Sequence, residues 1–307
     1  MARTRRVATV ASIAAAAMLP CAMANLCNLD GVIGPETEAR IPVLDRGFLF
    51  GDSVYEVIRT RGGHLFAWRE HLERMAQSAL AIGMTLALDD RTVVRRIVDT
   101  MRQAGNTDSY VRIVVTRGTG TSPSIDLASA TGEQRWVIFV RALPSAPKPT
   151  HLVVVDRLRN DRRALDPATK SGNYLNNVLG LAEAQRHGGT DCVFLNAAGH
   201  VTEASTSNVF ALHRGRWLTP PLQAGILAGI TRAHVIAFLR DCGERIDEVD
   251  FGADTLHAAD ELFLSSTLRD IGPVTHLDGR ALHGGGAGPR TSELAHRFAA
   301  ICDRRAV

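Results

Sequence analysis

Between Leu143 and Pro149 the chain places three prolines within seven residues, Leu143-Pro144-Ser145-Ala146-Pro147-Lys148-Pro149. Each proline locks φ and removes a backbone donor, so the stretch can enter neither a helix interior nor a central strand. It reads as a stiff, extended linker over residues 143–150. The 307-residue chain then holds two units, a smaller one over 23–142 and a larger one over 151–307, each long enough for its own core.

The first unit begins with short strands around Asp30-Gly31, a hairpin signal. Val54, Val57 and Ile58 suggest a strand that ends at Arg59. His71, Leu72, Met75, Ala79, Leu80 and Ile82 recur at helical spacing up to Gly83. Asp89-Asp90 can cap a second helix that carries Val93, Val94, Ile97, Val98 and Met101 to Gly105. Tyr110 to Thr116 alternates, with Arg112 and Thr116 on one face and Val111, Ile113 and Val115 on the other. The second unit mixes strands and short turns with flanking helices. The expected class is α+β: a small N-terminal α/β unit and a larger C-terminal mixed-sheet unit.

Composition narrows the function. Net charge is only +3, and no basic stripe suits a nucleic acid. The five cysteines are odd in number and widely spaced, which speaks against a disulfide framework or a zinc site and for a reducing compartment. The N-terminus is ambiguous. Arg3, Arg5 and Arg6 precede an alanine-rich run and then Ala22-Met23-Ala24, the shape of a secretory signal. The alternative, preferred here, is that residues 1–22 are a tail or a mis-started segment before Met23, and that the protein is cytoplasmic.

Lysine is scarce, with only Lys148 and Lys170 in the chain. Lys170 sits among small and polar residues, and an apolar run of helical character follows it: Leu175, Val178, Leu179, Leu181, Ala182 and Ala184. A lysine withdrawn from water gives up its proton more easily and becomes an amine nucleophile. Such an amine forms a Schiff base with a carbonyl substrate or with pyridoxal phosphate. Other stretches could complete that site. Arg59 offers a guanidinium to a phosphate. Glu203 could hold a pyridinium N–H, or could be an ordinary turn or cap glutamate. Gly225 to Arg232 precedes an apolar helix, so the amides of Ile230 and Thr231 and the Thr231 hydroxyl form a candidate anion site; an ordinary threonine N-cap is the alternative. The strand Glu261 to Thr267 ends in hydroxyls that could close a phosphate cup.

Taken together, Arg59, Lys170, Tyr174, Glu203, the Gly229-Ile230-Thr231-Arg232 turn and Ser265-Ser266-Thr267 resemble, in type and order, the fold-type IV, pyridoxal phosphate-dependent class IV aminotransferases. That family includes branched-chain aminotransferases, D-amino acid aminotransferases and aminodeoxychorismate lyases. The resemblance runs from about Leu26 to about Phe298. It implies pyridoxal 5′-phosphate as cofactor and a homodimer with the site near the subunit interface. Lys170 would bond the cofactor covalently and carry the proton between the substrate Cα and the cofactor C4′. Glu203 would pair with the ring nitrogen and Tyr174 with the phenolic oxygen. Arg59, Ile230, Thr231 and Thr267 would hold the phosphate.

Substrate choice rests on fewer residues. Tyr110-Val111-Arg112 is similar to the Tyr-x-Arg of branched-chain aminotransferases, in which the arginine helps bind the substrate carboxylate; a structural ion pair is the alternative for Arg112. The loop Thr121 to Asp126 lacks the Arg-x-His pair of D-amino acid aminotransferases. Tyr55-Glu56 looks like the transaminases rather than the lyases. Against the branched-chain pattern, Val57 replaces a usual glycine, and Lys170 and Tyr174 lie one residue closer than usual. The expectation is transamination of L-branched-chain amino acids with 2-oxoglutarate as acceptor. D-amino acid transamination and aminodeoxychorismate lysis to 4-aminobenzoate and pyruvate are the alternatives. No membrane, nucleic-acid or metal partner is expected.

Overall fold

The computed structural model describes residues 25–144 and 149–305. The expectation for residues 1–22, and the centre of the proline-rich linker, lie outside the described residues.

The first unit is built from β1 (Leu26–Leu29), β2 (Val32–Pro35), α1 (Arg46–Phe50), β3 (Ser53–Arg61), β4 (His64–Leu65), α2 (Trp68–Ala81), α3 (Asp90–Ala104), β5 (Ser109–Thr116) and β6 (Arg135–Ala142). Its six strands run in the order β2-β1-β6-β5-β3-β4, and each pairing is antiparallel. Asp30 and Gly31 both take positive φ, as a two-residue hairpin turn requires. Asp89 caps α3 by accepting from Thr92 N at 2.8 Å, and Gly105 ends it at φ 66°. The apolar faces of α2 and α3 cover one side of the sheet, with Leu72, Met75, Val93 and Ile97 packed on Val54, Ile58, Val111 and Ile113. The alternation of β5 leaves Tyr110 and Arg112 on the other side.

The second unit contains β7 (Thr150–Val154), α4 (Leu175–Arg186), β8 (Asp191–Leu195), β9 (Val201–Ala204), β10 (Asn208–His213), β11 (Arg216–Thr219), α5 (Ile230–Asp241), β12 (Ile246–Glu248), α6 (Ala253–His257), β13 (Glu261–Ser266), β14 (Asp270–Leu277), β15 (Arg280–Ala281) and α7 (Pro289–Arg305). The nine-stranded sheet is mixed: β7 lies parallel to β8 and β14, and β11 parallel to β12. Strand β9 also bridges to β10, which makes Glu203 and Asn208 cross-strand neighbours. One side packs on α5 and α7 through Phe210, Trp217, Phe238, Phe263 and Phe298.

Helix α4 differs from the pattern read in its apolar run. It turns Gly180 and Ala184 to the sheet, while Leu175, Val178 and Leu179 face outward. The cause is close packing: a Cβ on Gly180 would stand 2.3 Å from Phe194 Cζ. Small residues let the helix touch the sheet, and the large apolar side chains are rotated away. Lys170 is therefore not shielded by a buried helix.

Candidate active site

Lys170 lies in the loop before α4, and the first unit holds that loop along the start of β3. Tyr55 N donates to Lys170 O at 3.0 Å and Gly172 N to Ser53 O at 2.8 Å. From α2, Ser78 Oγ accepts from Lys170 N at 3.1 Å. The half-buried side chain ends between two phenols: Nζ donates to Tyr55 Oη and to Tyr174 Oη, each at 3.2 Å. The two rings meet edge to face, 5.1 Å apart. Burial, with Tyr174 beside it, pushes the Tyr55 phenol far above its ordinary range, so Tyr55 stays protonated.

Nζ faces a cavity of about 200 Å³ whose lining includes Tyr55, Val57, Arg74, Tyr110, Arg112, Asn208, Leu227, Ile230, Thr231, Ser265 and Thr267. The cavity thus gathers both units around one amine. A larger cavity of about 770 Å³, lined by His64, Phe66, Trp68 and His234 among others, contains none of the sequence-predicted site residues.

The anion site is a bare helix start. Gly229 is the N-cap of α5 and supplies no side-chain bond, so Thr231 is the second helical residue and not the cap. That leaves the first amides of a twelve-residue helix facing a cavity, where the helix dipole favours an anion. Glycine is needed there, because a Cβ at 229 would fall 2.0 Å from Asn208 Oδ1.

Glu203 and Arg59 stand behind this lining. Glu203 is buried on β9; its Oε1 accepts from Arg159 Nε at 3.0 Å and Nη2 at 2.9 Å. Its Oε2 accepts from Leu227 N at 3.0 Å and Asn208 Nδ2 at 3.5 Å, both from cavity-lining residues. It is neither a turn nor a cap residue. Arg59 shares a face of β3 with Tyr55 and Val57, but its Nη1 donates to Asp270 Oδ2 at 3.2 Å. Its Nε is buried with no partner, as is Ser265 Oγ in the cavity wall. Arg112 forms no ion pair or hydrogen bond among the described residues; its guanidinium lies 4.1 Å from the Tyr55 ring centre. Unanswered hydroxyl and guanidinium donors, open helix amides and an amine between two phenols form a donor set suited to a phosphorylated aldehyde.

The family model described as amino-transferase class IV matches residues 53–277, which span Lys170 and the whole lining of this cavity. The chain belongs to the class IV aminotransferases. This aminotransferase is 34% identical over 275 residues to a Methanocaldococcus jannaschii protein whose name, branched-chain-amino-acid aminotransferase, is itself provisional; the match covers 88% of this chain and 94% of that one. It is 30% identical to the D-alanine aminotransferase of Bacillus licheniformis, covering 86% and 93%. Its fold is similar to the crystal structure of the Thermoproteus uzoniensis branched-chain aminotransferase with norvaline, at TM-score 0.83 and 31% identity, covering 91% and 95%. It is also similar to the branched-chain amino acid aminotransferase from Thermobaculum terrenum in its PLP-bound holo form, at TM-score 0.80 and 26% identity, covering 91% and 94%. Aminotransferases act on amino acids and 2-oxo acids. No helix among the described residues of this aminotransferase is long and apolar enough to cross a membrane.

Three side chains near the aminotransferase's site had escaped the sequence. Arg159 stands in a loop of charged residues with no periodic signal. Arg74 and Ser78 carried one unread signal: with His71 they sit at i, i+3 and i+7, a polar line along α2, although their distant partners leave no trace in it.

Proposed function

We propose that this enzyme is a pyridoxal 5′-phosphate-dependent transaminase of L-branched-chain amino acids, with 2-oxoglutarate as amino acceptor. The observation that carries the reading is the Lys170 amine, 3.2 Å from two phenols, in one cavity with the uncapped start of α5. When bound, the cofactor supplies an aldehyde for the amine and a protonated ring that withdraws electrons from the substrate Cα. Lys170 Nζ takes the proton from that Cα. The Ile230 and Thr231 amides and the Thr231 and Thr267 hydroxyls would hold the phosphate; the Arg59 guanidinium, behind the lining and paired with Asp270, stands outside that group. Glu203 accepts from the ring N–H, steadied by Arg159. Tyr174 donates to the phenolic oxygen, and the protonated Tyr55 orients Nζ.

Arg112, without an acidic partner, holds the substrate carboxylate together with Tyr110. The substrate side chain continues into an adjoining chamber of about 470 Å³, which shares Tyr110, Arg112 and Leu268 with the cavity and adds Phe139, Ala142 and Pro144. Arg141 also lines this chamber; the chamber's apolar part, from Phe139, Ala142, Pro144 and Leu268, suits a branched aliphatic chain. D-amino acids are the second reading, favoured by the likeness to D-alanine aminotransferases. A homodimer is part of the proposal: Phe48, Leu175 and Val178 expose an apolar patch beside Tyr174, joined where Asn173 Nδ2 donates to Gly51 O at 3.0 Å.

Stopped-flow absorbance on the cofactor-loaded enzyme, with single L- and D-amino acids, tests the substrate. L-leucine, L-valine and L-isoleucine convert the bound cofactor, and added 2-oxoglutarate restores it. Conversion by D-alanine and not L-leucine would reverse the order, and no conversion by any amino acid would end the proposal. Light scattering at twice the chain mass is the expected dimer result.

A further inference from the structure

Two arginines share one face of the first unit's sheet. Strands β5 and β6 pair antiparallel, with Arg112 opposite Phe139 and Tyr110 opposite Arg141. The alternate residues of β6, Trp136, Ile138 and Val140, go into the core beneath α2 and α3. Phe139 and Arg141 therefore face the other way, and with Tyr110 and Arg112 they line the chamber of about 470 Å³. Arg112 and Arg141 are diagonal neighbours across the strand pair. Such neighbours stand about 7–8 Å apart, within reach of long side chains.

The two guanidiniums are held differently. Arg112 lies against the Tyr55 ring and has no acidic partner. Arg141 is half exposed and uses one nitrogen only: its Nε donates to Glu36 Oε2 at 2.8 Å, one residue beyond β2. The other oxygen of Glu36 accepts from Asn25 Nδ2 at 3.2 Å, which steadies the pair. The terminal nitrogens of Arg141 make no hydrogen bond or ion pair among the described residues. A guanidinium presents more than one edge that matches a carboxylate, so the outer edge of Arg141 is open. Glu36 also offsets its charge, so an apolar side chain in the chamber does not meet a bare cation.

An amino donor and an amino acceptor occupy the same room in turn. With its first carboxylate at Arg112, a branched aliphatic chain lies on Phe139, Ala142, Pro144 and Leu268. An acceptor with a second carboxylate at the far end of its chain needs another cation on that wall. Among the described residues lining the chamber, Arg141 is the one that remains.

We propose that Arg141 is a specificity-determining residue that receives the distal carboxylate of a dicarboxylic oxo acid, while Glu36 fixes it at the chamber wall and tempers its charge. The inference rests on the reading that Arg112 takes the carboxylate next to the reacting carbon.

Cofactor-loaded enzyme is titrated with glutarate and with 4-methylpentanoate, followed by calorimetry. Neither probe has an amino or oxo group, so binding is read without chemistry. The readout is the ratio of the two affinities, glutarate over 4-methylpentanoate. The ratio is expected to fall at least fivefold in Arg141→Met. It is expected to hold or rise in Glu36→Gln, which keeps the guanidinium and removes the competing carboxylate. A smaller fall in Arg141→Met, or a fall in Glu36→Gln, overturns the assignment. A general loosening of the chamber weakens both probes alike and leaves the ratio unchanged, which also overturns it. Arg112→Leu tests the underlying reading separately: it is expected to weaken both probes, and unchanged affinities would refute the carboxylate site at Arg112 itself.

Discussion

Glu56 gives the protein a calculable weakness in acid. Burial alone would push its carboxyl up, but the Arg74 guanidinium and the His71 ring outweigh burial and hold it at about 2, against an ordinary 4.5. Of the two partners, Arg74 supplies the charge: burial keeps His71 below the ordinary imidazole range despite Glu56, so near neutral pH it is an uncharged donor. A carboxyl whose folded pKa is depressed stabilises the fold fully above its unfolded pKa, and that stability is lost as pH falls toward the folded value. At about 1.4 kcal/mol per pH unit, the interval from 4.5 to about 2 corresponds to about 3 kcal/mol. Of this, about 2 kcal/mol is gone by pH 3. The perturbation is Glu56→Gln, and the assay is urea unfolding of the cofactor-free protein between pH 7 and pH 3, so that ligand binding adds nothing. The variant begins less stable, because Arg74 loses the fork of its Nε and Nη2 onto this carboxylate. The gap between the two proteins narrows by about 2 kcal/mol on acidification, because only wild type has this carboxyl to protonate. His71 also loses stability on acidification, and more so in the variant, where Glu56 no longer raises its pKa, so about 2 kcal/mol is the upper limit of the narrowing. Parallel curves, with a constant gap down to pH 3, would refute the reasoning.

Replacing Gly229 with alanine drives a methyl into Asn208 Oδ1, and the affinity for pyridoxamine phosphate, measured by equilibrium dialysis, falls at least tenfold. Arg159→Met leaves the buried Glu203 carboxylate without its ion pair; denaturant unfolding is expected to show a loss of about 3–5 kcal/mol, and an unchanged midpoint would mean that the pair contributes nothing. Arg112→Leu removes the one cationic group on the chamber wall shared by both cavities. It raises the KM for leucine at least tenfold in steady-state assays while the spectrum of the loaded enzyme stays the same.

Local rules made much of the fold legible. Asp30-Gly31, Asp89, Gly83 and Gly105 mark turns and helix ends through backbone preference alone. The alternation of β5 placed Arg112 correctly because a pleat has a strict period of two. Side-chain size across a non-local contact was not legible: nothing near Gly180 announces that Phe194 will press on it and turn Leu175 and Val178 outward. Within the candidate site, local motifs pointed to Lys170 and to the glycine before Ile230, and both line one cavity. The site was hidden where a partner comes from far along the chain. Arg159 reaches Glu203 across 44 positions and Arg74 reaches Ala228 across 154, and neither separation leaves a trace in periodicity. Asp270, 211 positions from Arg59, likewise gave no sign that it would occupy that guanidinium.

One covalent experiment addresses the central claim, that the chemistry runs through the Lys170 amine. The enzyme is loaded with pyridoxal phosphate, reduced with borohydride, digested and mapped by mass spectrometry. The added cofactor mass should appear on the peptide containing Lys170, and not on the one containing Lys148, the only other lysine. Mass on Lys148, or on neither lysine, would contradict the account.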